Sequence, residues 1–555
     1  MKRQLSALGA LALAIASCGG STASSTTSAG SGGEAHASSS ATSSGSTGGS
    51  MGTGGGGAGP ALSGPTVDEL FGLNGFIDDP VDKLAAIGNL RHYLNWSVCD
   101  GNGADGYAGY PNNQLEFSLW GGFWDFDAFY KSFKDAGVLA FPCLQGGARY
   151  IDNYAMPPVN KGASDTDPAS YAAHADFMFQ FAARYGKTSV DTSKLKLKND
   201  QKVASGLGYL AYFENGNEPD ADWVKPDGST LFSPAALAAM SSADYDGHQG
   251  KLGTTVGLKN ADPGAKMVLA GLAGGGDSTD WATNITTYLE GVRTWATANR
   301  SDGSFPADVI NVHYYCFGPD GFGVPNPKPG ISPEECHLAE VVSKIAAYRD
   351  SKLPGKEVWL TEFGYDTHPK SNLRAPAIGG NSAAVVQGQW LVRSYLALMA
   401  SGIDRAFLFV SRESCTGDDT KCPSNNIQFS TSGVLTGKGD EQPKTSWYFL
   451  TAFRSRLGSM HYLGTSDSGN EKVSIARFFD PSSGKGAYVV WAPTSDASVV
   501  DGYALHVADA VKTASIVTLV DGSATGTEAP GSVSAGSVSV KVTETPTIVL
   551  VDAKP

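Results

Sequence analysis

Two glutamates lie in short sequence motifs whose carboxyl groups could act as catalysts. Glu218 lies in Asn217-Glu218-Pro219, and Glu362 lies in the stretch Thr-Glu-Phe-Gly at residues 361–364. A pair of carboxyl groups can cleave a glycosidic bond, because one protonates the leaving oxygen while the other attacks the anomeric carbon or activates water. When one carboxylate attacks directly, the two groups stand about 5 Å apart. Carboxyl groups alone perform both steps, so we expect no cofactor and no metal.

Eight short apolar stretches alternate with longer amphipathic segments between residues 70 and 460. They lie at 70–76, 89–96, 138–144, 208–217, 266–272, 308–315, 357–363 and 405–410, and the segment 235–260 is expected as one helix. Strict alternation implies parallel strands, because each return crossover needs a helix. Eight such units predict an α/β fold, the (β/α)8 TIM barrel. An open doubly wound sheet is the competing architecture, although no G-x-G-x-x-G follows the first strand.

The barrel assignment places both glutamates where such folds carry their chemistry. Active sites of these barrels form at the carboxyl ends of the strands. Glu218 ends the fourth predicted strand and Glu362 ends the seventh, so their side chains can meet across the barrel. Glu214 should point inward as a structural hydrogen-bond partner, since it shares the parity of Glu218. Asp220 and Glu413 also lie near strand ends and are the fallback carboxylates.

These motifs resemble clan A, the 4/7 superfamily of retaining glycoside hydrolases. Asn-Glu-Pro ending strand four and Glu ending strand seven carry the resemblance, which covers residues 70–460. It implies that Glu218 is the acid/base, Glu362 the nucleophile and Asn217 a partner of the sugar 2-hydroxyl. Two departures concern the substrate: Gly216 replaces the usual aromatic residue before the motif, and strand eight lacks the tryptophan that the clan often has there.

The same resemblance assigns supporting roles to three further residues. Arg91 matches the arginine that keeps the nucleophile ionised, although it could instead pair structurally with Glu214. His313 and Tyr315 match the His-x-Tyr of strand six, where the tyrosine orients the nucleophile. A core histidine without a role at the site is the alternative for His313.

Three other residues are candidates for sugar contact by position. Trp96 and Trp223 fall on predicted loops beside the strand ends, and sugar rings stack on aromatic faces. Arg412, at the end of strand eight, is a candidate for contacting a hydroxyl or carboxylate of the sugar. Each of the two tryptophans could equally be a packing residue.

The two ends of the chain differ from the barrel in composition. Residues 1–18 resemble a lipoprotein signal peptide that ends at the lipidated Cys18, with ordinary secretion as the alternative. Residues 19–60 are almost all Gly, Ser, Thr and Ala, which predicts a disordered tether. The barrel domain is assigned to residues 61–460. Short β-branched stretches in residues 461–555 predict a small all-β sandwich, which resembles the accessory domain of families 30, 39 and 51.

Six cysteines remain once Cys18 is set aside, and an exported chain permits disulfides. Proximity favours Cys316 with Cys336 and Cys415 with Cys422, which leaves Cys99 with Cys143. Six cysteines allow fifteen pairings, so the spacing does not fix the connectivity.

The expected partner is a carbohydrate, and the expected location is the cell envelope or cell surface, through the lipid anchor. The net charge of −14 is spread without a basic run, which argues against nucleic-acid binding. We expect a monomer. The sequence leaves open the sugar, the choice between endo and exo action, and three rival functions: a cell-surface glycan-binding protein, a transglycosylase using the same glutamates, and a structural lipoprotein.

Overall fold

The computed structural model describes residues 64–100, 106–320, 324–414 and 427–555. Eight parallel strands in these ranges close into a barrel in chain order, with the eighth strand beside the first. They are β1 (Phe71–Gly75), β2 (Asn89–Asn95), β3 (Ala140–Gln145), β4 (Tyr212–Glu214), β5 (Lys266–Val268), β6 (Val309–His313), β7 (Glu357–Phe363) and β8 (Arg405–Leu408). The predicted (β/α)8 barrel is confirmed. The open sheet is excluded because this sheet has no edge.

Helices surround the barrel and return the chain between successive strands. They are α1 (Val67–Leu70), α2 (Val81–Ile87), α3 (Trp96–Cys99), α4 (Phe126–Asp135), α5 (Ala172–Tyr185), α6 (Pro234–Asp246), α7 (Leu258–Ala261), α8 (Trp281–Asn299), α9 (Leu338–Lys352), α10 (Ala383–Ala400) and α11 (Thr445–Leu457). The single helix predicted over 235–260 is wrong. Helix α6 ends at Gly247, whose left-handed φ of 66° stops it, and turns fill most of the chain before α7.

The barrel interior has an apolar lower layer and a polar layer above it. The lower layer consists of Phe141, Tyr212, Val268, Val309, Trp359 and Phe407. Gly72 makes room for it, since a Cβ there would lie 2.3 Å from the Phe407 ring. The layer above, towards the carboxyl ends of the strands, contains Asn74, Arg91, Cys143, Glu214, Asn311 and Thr361, all buried. Such a buried polar layer is tolerated only when its groups are hydrogen-bonded to one another.

Strand β7 contains a bulge at its carboxyl end. Val312 of β6 pairs with Leu360, but the next residue, His313, pairs with Glu362. The pairing with β8 shifts at the same place. Thr361 is therefore an extra residue, and both Thr361 and Glu362 face the barrel interior, where regular alternation would admit only one of them.

The carboxyl-terminal domain is the predicted antiparallel sandwich. Its strands are β9 (His461–Ser466), β10 (Ser474–Asp480), β11 (Lys485–Trp491), β12 (Val500–His506), β13 (Ala514–Thr518), β14 (Thr527–Gly531), β15 (Val533–Ser534), β16 (Ser537–Val542) and β17 (Thr547–Val551). Six form one sheet, in the order β9-β10-β11-β17-β13-β14, and three form the other, in the order β12-β16-β15. Strand β16 has one apolar face, which is buried where the two sheets stack. Its residues Val538, Val540 and Val542 are buried and alternate with more exposed residues.

The sandwich packs on the barrel through a polar contact at α10. Arg393 is buried and binds Glu334, with its Nε 2.9 Å from Oε1. The indole Nε1 of Trp491, from the sandwich, donates to the same oxygen at 2.9 Å. Arg393 also donates to the Thr494 carbonyl at 3.0 Å. The partly buried carboxylate of Glu334 thus links the two domains.

The structure shows one of the expected disulfide bonds and contradicts another. Cys316 and Cys336 form the expected disulfide. The pairing of Cys99 with Cys143 is wrong, because both are buried free thiols. Cys143 faces the barrel interior, where its Sγ lies 3.4 Å from Arg91, whereas Cys99 packs in the apolar core that includes the helices. Cys18, Cys415 and Cys422 lie outside the described residues.

No helix in the described ranges combines the length and the apolar character that a membrane span requires.

Candidate active site

Glu218 and Glu362 meet at the carboxyl end of the barrel. One carboxylate oxygen of each, together with Nδ1 of His313, lies in a group whose members are all within 4.8 Å of one another. The side chain of Glu218 is 29% exposed, whereas that of Glu362 is 8% exposed. The first can therefore exchange protons with solvent, and the second is largely shielded from it.

Glu218 reaches this position through an unusual backbone. Gly216 has a φ of 147°, and Glu218 itself has a left-handed φ of 45°. A left-handed conformation costs a residue other than glycine about 1–2 kcal/mol. The Glu218 N–H donates to the Gly271 carbonyl at 2.9 Å, so the turn is held against the loop that follows β5. Gly216, a departure from the expected motif, is the residue that makes this turn possible.

Glu362 is surrounded by hydrogen-bond donors. Nη1 of Arg91 lies 2.9 Å from its Oε1, and the hydroxyl of Tyr93 donates to the same oxygen. The hydroxyl of Tyr315 donates to Oε2 at 2.8 Å. Burial by itself would raise the pKa of Glu362, but the charges of His313 and Arg91 and the two tyrosine hydroxyls outweigh it and lower that pKa below its usual range. The structure thus holds Glu362 as a carboxylate.

Arg91 connects this carboxylate to the polar layer below. Its Nε and Nη2 bind both oxygens of Glu214, at 2.7 and 2.8 Å. Its Nη1 also donates to Asn74 Oδ1 at 3.1 Å, and its Nη2 to Asn217 Oδ1 at 2.8 Å. Arg91 therefore forms ion pairs with both Glu214 and Glu362. Asn217 accepts this hydrogen bond through Oδ1, which leaves its N–H donors for a ligand.

His313 lies between the two glutamates. Its Nδ1 is 3.0 Å from Glu218 Oε1 and 3.5 Å from Glu362 Oε1, and its Nε2 is 3.0 Å from Thr361 Oγ1. Burial lowers the pKa of His313, but the charge of Glu362 and the contact with Glu218 outweigh it and raise that pKa above its ordinary value. His313 is not an isolated core histidine.

Hydrogen bonding fixes which nitrogen of His313 carries a proton. Asn311 Nδ2 donates to Glu214 Oε1 at 2.8 Å, so Asn311 Oδ1 must be an acceptor, and it takes the Thr361 hydroxyl proton at 2.7 Å. Thr361 Oγ1 can then only accept from His313 Nε2–H. It follows that Nδ1 is the nitrogen that faces Glu218.

The same three side chains could offer ligand atoms to a metal ion. Glu218, His313 and Glu362 are the one such group found in the described residues. The guanidinium of Arg91, 2.9 Å from Glu362, already supplies the positive charge there. The donor set is therefore better suited to moving protons than to binding a cation.

Sequence reasoning missed Tyr93 and Thr361. Tyr93 lies two residues after Arg91 on β2, so strand parity alone could have placed it on the same interior face. Thr361 faces inward together with Glu362 only because of the bulge in β7, and no pattern in the sequence signals that bulge.

The structure gives two of the predicted sugar-contact residues other partners. Trp96 is fully buried on α3, where its ring stacks on Phe177 at 5.8 Å between centroids and its Nε1 donates to Asp100. Arg412 is also buried, and it binds Asp78 at 2.7 Å and Asp79 at 3.1 Å rather than facing the glutamates. Trp223 is partly exposed on the loop after Glu218 and stays a candidate.

The substitution Trp96→Phe tests the structural role of this tryptophan. Phenylalanine keeps the stacking on Phe177 but leaves the buried Asp100 without one donor. We expect the free energy of unfolding to fall by about 1–3 kcal/mol. Denaturant unfolding curves of the variant and the wild type measure this difference. Unchanged stability would contradict the assignment.

The fallback carboxylates have structural contacts instead. Asp220 is fully buried, and burial raises its pKa to about 6 although backbone N–H groups of Ala273 and Gly274 act in the opposite direction. Glu413 binds Lys444 at 2.5 Å. Neither carboxylate belongs to the group formed by Glu218 and Glu362.

Two phenylalanines lie near the end of β8, the position at which the sequence lacks a tryptophan. The ring of Phe409, the residue after β8, lies edge-on to Tyr93 with 6.4 Å between centroids. Phe429 packs on Phe409 at 5.6 Å and on Tyr315 at 5.0 Å. Both phenylalanines are partly exposed. An apolar wall without a tryptophan therefore lies beside the tyrosines that bind Glu362.

Comparison with known proteins finds likeness in fold alone. No family model and no curated protein matches the chain by sequence. A family 44 xyloglucanase from Paenibacillus polymyxa matches with a TM-score of 0.50 and 13% identity, over 88% of this chain and 97% of its own. A glucosidase from Croceicoccus marinus matches with a TM-score of 0.50 and 11% identity, over 88% and 96% of the two chains. The chain shares the fold of these glycoside hydrolases.

Solved structures of families 30 and 51 also resemble this chain. A family 30 endoxylanase from Clostridium papyrosolvens matches with a TM-score of 0.49 and 13% identity, over 88% of this chain and 98% of its own. A family 51 arabinofuranosidase from Xanthomonas axonopodis has a TM-score of 0.49 and 12% identity, over 88% and 97%.

Proposed function

We propose that this protein is a retaining glycoside hydrolase that cleaves β-glycosidic bonds of a polysaccharide or oligosaccharide by double displacement. The proposal depends mainly on one observation, the placement of an oxygen of Glu218 and an oxygen of Glu362 within 4.8 Å. Retaining enzymes hold their carboxyls about 5 Å apart, whereas inverting enzymes need roughly 6.5–9.5 Å to fit a water between them. The distance in this site favours direct attack by one carboxylate.

In the first step Glu362 attacks the anomeric carbon while Glu218 protonates the leaving oxygen. Arg91, Tyr93 and Tyr315 keep Glu362 ionised and aim its oxygens. The bond from the anomeric carbon to the leaving oxygen breaks, and a glycosyl ester of Glu362 forms. Glu218 is left as a carboxylate beside His313.

In the second step a water attacks the same carbon and Glu218 takes its proton. The ester bond to Glu362 breaks, and the nucleophile returns as a carboxylate. Two inversions give net retention of the β configuration. Asn217 offers its N–H donors to the sugar, because Arg91 has taken its oxygen.

The cellular setting is part of the proposal. We propose that the chain is held at the cell envelope or surface by lipid on Cys18, with residues 19–60 as the tether. The composition of those residues supports this, since a segment so rich in Gly, Ser and Thr cannot form a core. Mass spectrometry of the amino-terminal peptide from cell membranes tests it. A free, unlipidated amino terminus in the medium would favour simple secretion.

A panel of aryl β-glycosides and β-linked polysaccharides tests the activity and its stereochemistry. We expect hydrolysis of at least one substrate, with the β-anomer of the product appearing first in proton NMR spectra. An α-anomer appearing first would overturn the retaining mechanism. Binding of a glycan without turnover would favour the glycan-binding alternative, and transfer to sugar in place of water would favour the transglycosylase.

The substitution Tyr315→Phe tests how the nucleophile stays ionised. Glu362 must be a carboxylate to attack, and its pKa is lowered, so activity is lost only as the pH falls through that low value. Removing the Tyr315 hydroxyl removes a donor to the carboxylate, so the pKa rises and the acid limb of kcat/KM moves to higher pH. We also expect a rate loss of about 10–100-fold, since a hydrogen bond to a charged group contributes about 1.5–3 kcal/mol.

Tyr314→Phe is the matched control for this pH profile. Its ring packs on Trp281, with 4.9 Å between centroids, and its hydroxyl is not a partner of Glu362. We expect its acid limb to overlay that of the wild type. An unmoved acid limb in Tyr315→Phe would contradict the assigned role.

A further inference from the structure

Asp220 lies two residues beyond Glu218 and fastens the segment that carries it. Its buried carboxylate accepts three successive backbone N–H groups, from Ala273, Gly274 and Gly275, at 2.9, 2.7 and 3.2 Å. Those donors belong to the loop after β5, whereas Asp220 belongs to the loop after β4. One side chain therefore joins the two loops nearest the acid/base.

The loop that receives Asp220 is itself held to a long helix. Nε1 of Trp281 donates to the Ala273 carbonyl at 3.1 Å, and Nδ2 of Asn284 donates to the Gly274 carbonyl at 3.0 Å. Both side chains belong to α8, which has 19 residues. Through these bonds Asp220 attaches the Glu218 segment to a rigid support.

The backbones of the two loops approach closely where Asp220 binds. A Cβ on Gly275 would lie 1.9 Å from the Asp220 carbonyl oxygen. Any side chain at position 275 would therefore push the two loops apart. The contact depends on glycine in one loop and on a carboxylate in the other.

Glu218 has a conformation that needs such support. Its φ of 45° is left-handed, and a glutamate released from neighbouring contacts relaxes to the right-handed or extended regions. Relaxation would swing its carboxyl group away from His313 Nδ1, now 3.0 Å distant. The acid/base would then no longer face the bond to be cut.

We infer that Asp220 is a positioning residue, which holds Glu218 in its left-handed conformation through the backbone of residues 273–275. This inference rests on the proposed function, because it assigns Asp220 to the protonation step of that reaction. Asp220 acts through Glu218 and has no contact with substrate.

The substitution Asp220→Asn weakens the hydrogen bonds between Asp220 and residues 273–275 with little change in the shape of the side chain. Both carboxylate oxygens accept N–H groups, so an amide NH2 must face at least one donor whichever way it turns. We expect kcat/KM to fall about 10²-fold for a β-glycoside with an alkyl leaving group, which must be protonated. We expect little change for a dinitrophenyl β-glycoside, which leaves without protonation. An equal fall for both substrates would overturn the inference.

Two further variants separate positioning from general damage. Gly275→Ala breaks the same contact from the other loop, and we expect it to reproduce the difference between the two substrates. Asp262→Asn is the matched control: Asp262 is also buried and accepts the Lys187 N–H at 2.6 Å, but it lies between α7 and β5, at the other end of the barrel. We expect it to lower stability and leave the ratio of the two rates unchanged.

Crystal structures of wild type and Asp220→Asn give a readout that does not depend on turnover. We expect Glu218 to leave its left-handed conformation and its contact with His313 in the variant. An unmoved Glu218 would overturn the inference even if the enzyme is a glycosidase. If the wild type cleaves no glycoside, the proposed function fails, while a displaced Glu218 would still support the positioning role.

Discussion

Glu362→Ala is expected to abolish hydrolysis and to regain turnover when azide is added. The substitution removes the carboxylate proposed to attack while leaving Glu218 as an acid, and we expect kcat to fall on the order of 10⁵-fold. Azide is small enough to enter the space vacated by the carboxylate. It attacks the anomeric carbon once, so the product should be the α-glycosyl azide.

The configuration of that azide decides the assignment. An α-azide formed by Glu362→Ala means that azide replaced the nucleophile, since a single displacement inverts. Glu357→Gln serves as the matched control, because Glu357 begins the same strand but binds Lys266 at 2.5 Å at the opposite end of the barrel. We expect it to retain wild-type kcat. Substantial residual activity in Glu362→Ala without azide would refute the assignment.

Glu218→Ala is expected to have the second-largest effect, and its size should depend on the leaving group. The first step then lacks an acid, so we expect kcat/KM for alkyl β-glycosides to fall about 10²–10⁴-fold. For a dinitrophenyl β-glycoside the first step still proceeds, because this group leaves without protonation. The second step then lacks a base. The glycosyl ester of Glu362 should accumulate, which lowers both kcat and KM.

Azide distinguishes this variant from Glu362→Ala. With Glu218→Ala, azide replaces water in the second step, so two inversions occur and the product should be the β-glycosyl azide. Pre-steady-state release of dinitrophenol should show a burst that disappears when azide is present. An α-azide from Glu218→Ala would mean that the roles of the two glutamates are reversed.

The meeting of Glu218 and Glu362 at one end of the barrel was predictable from the order of the strands. Glu218 follows the fourth apolar stretch and Glu362 lies at the end of the seventh, and a closed barrel brings the carboxyl ends of those strands to one face. The inward orientation of Glu214 followed from strand parity, as the contact with Arg91 at 2.7 Å confirms. The left-handed turn that aims Glu218 could not be predicted in this way.

Other features of the site depend on tertiary detail that the sequence does not display. Trp96 begins a one-turn helix directly after β2, which turns its ring into the core. Arg412 meets two acidic residues from the loop after β1, a contact more than three hundred residues apart in the chain. The bulge at Thr361 depends on the register of two neighbouring strands. Patterns of residue type carry no information about such long-range pairings.

The location of His313 between the two glutamates has an electrostatic consequence for the proposed reaction. Before the first step Glu362 is charged and Glu218 is neutral, and in the ester state Glu218 is charged and Glu362 is neutral. The pair therefore carries one negative charge throughout, and only its location changes. His313 Nδ1, 3.0 and 3.5 Å from the two carboxylates, remains next to that charge in both states. The buried guanidinium of Arg91, 2.9 Å from Glu362, therefore faces a carboxyl pair with the same total charge in both states.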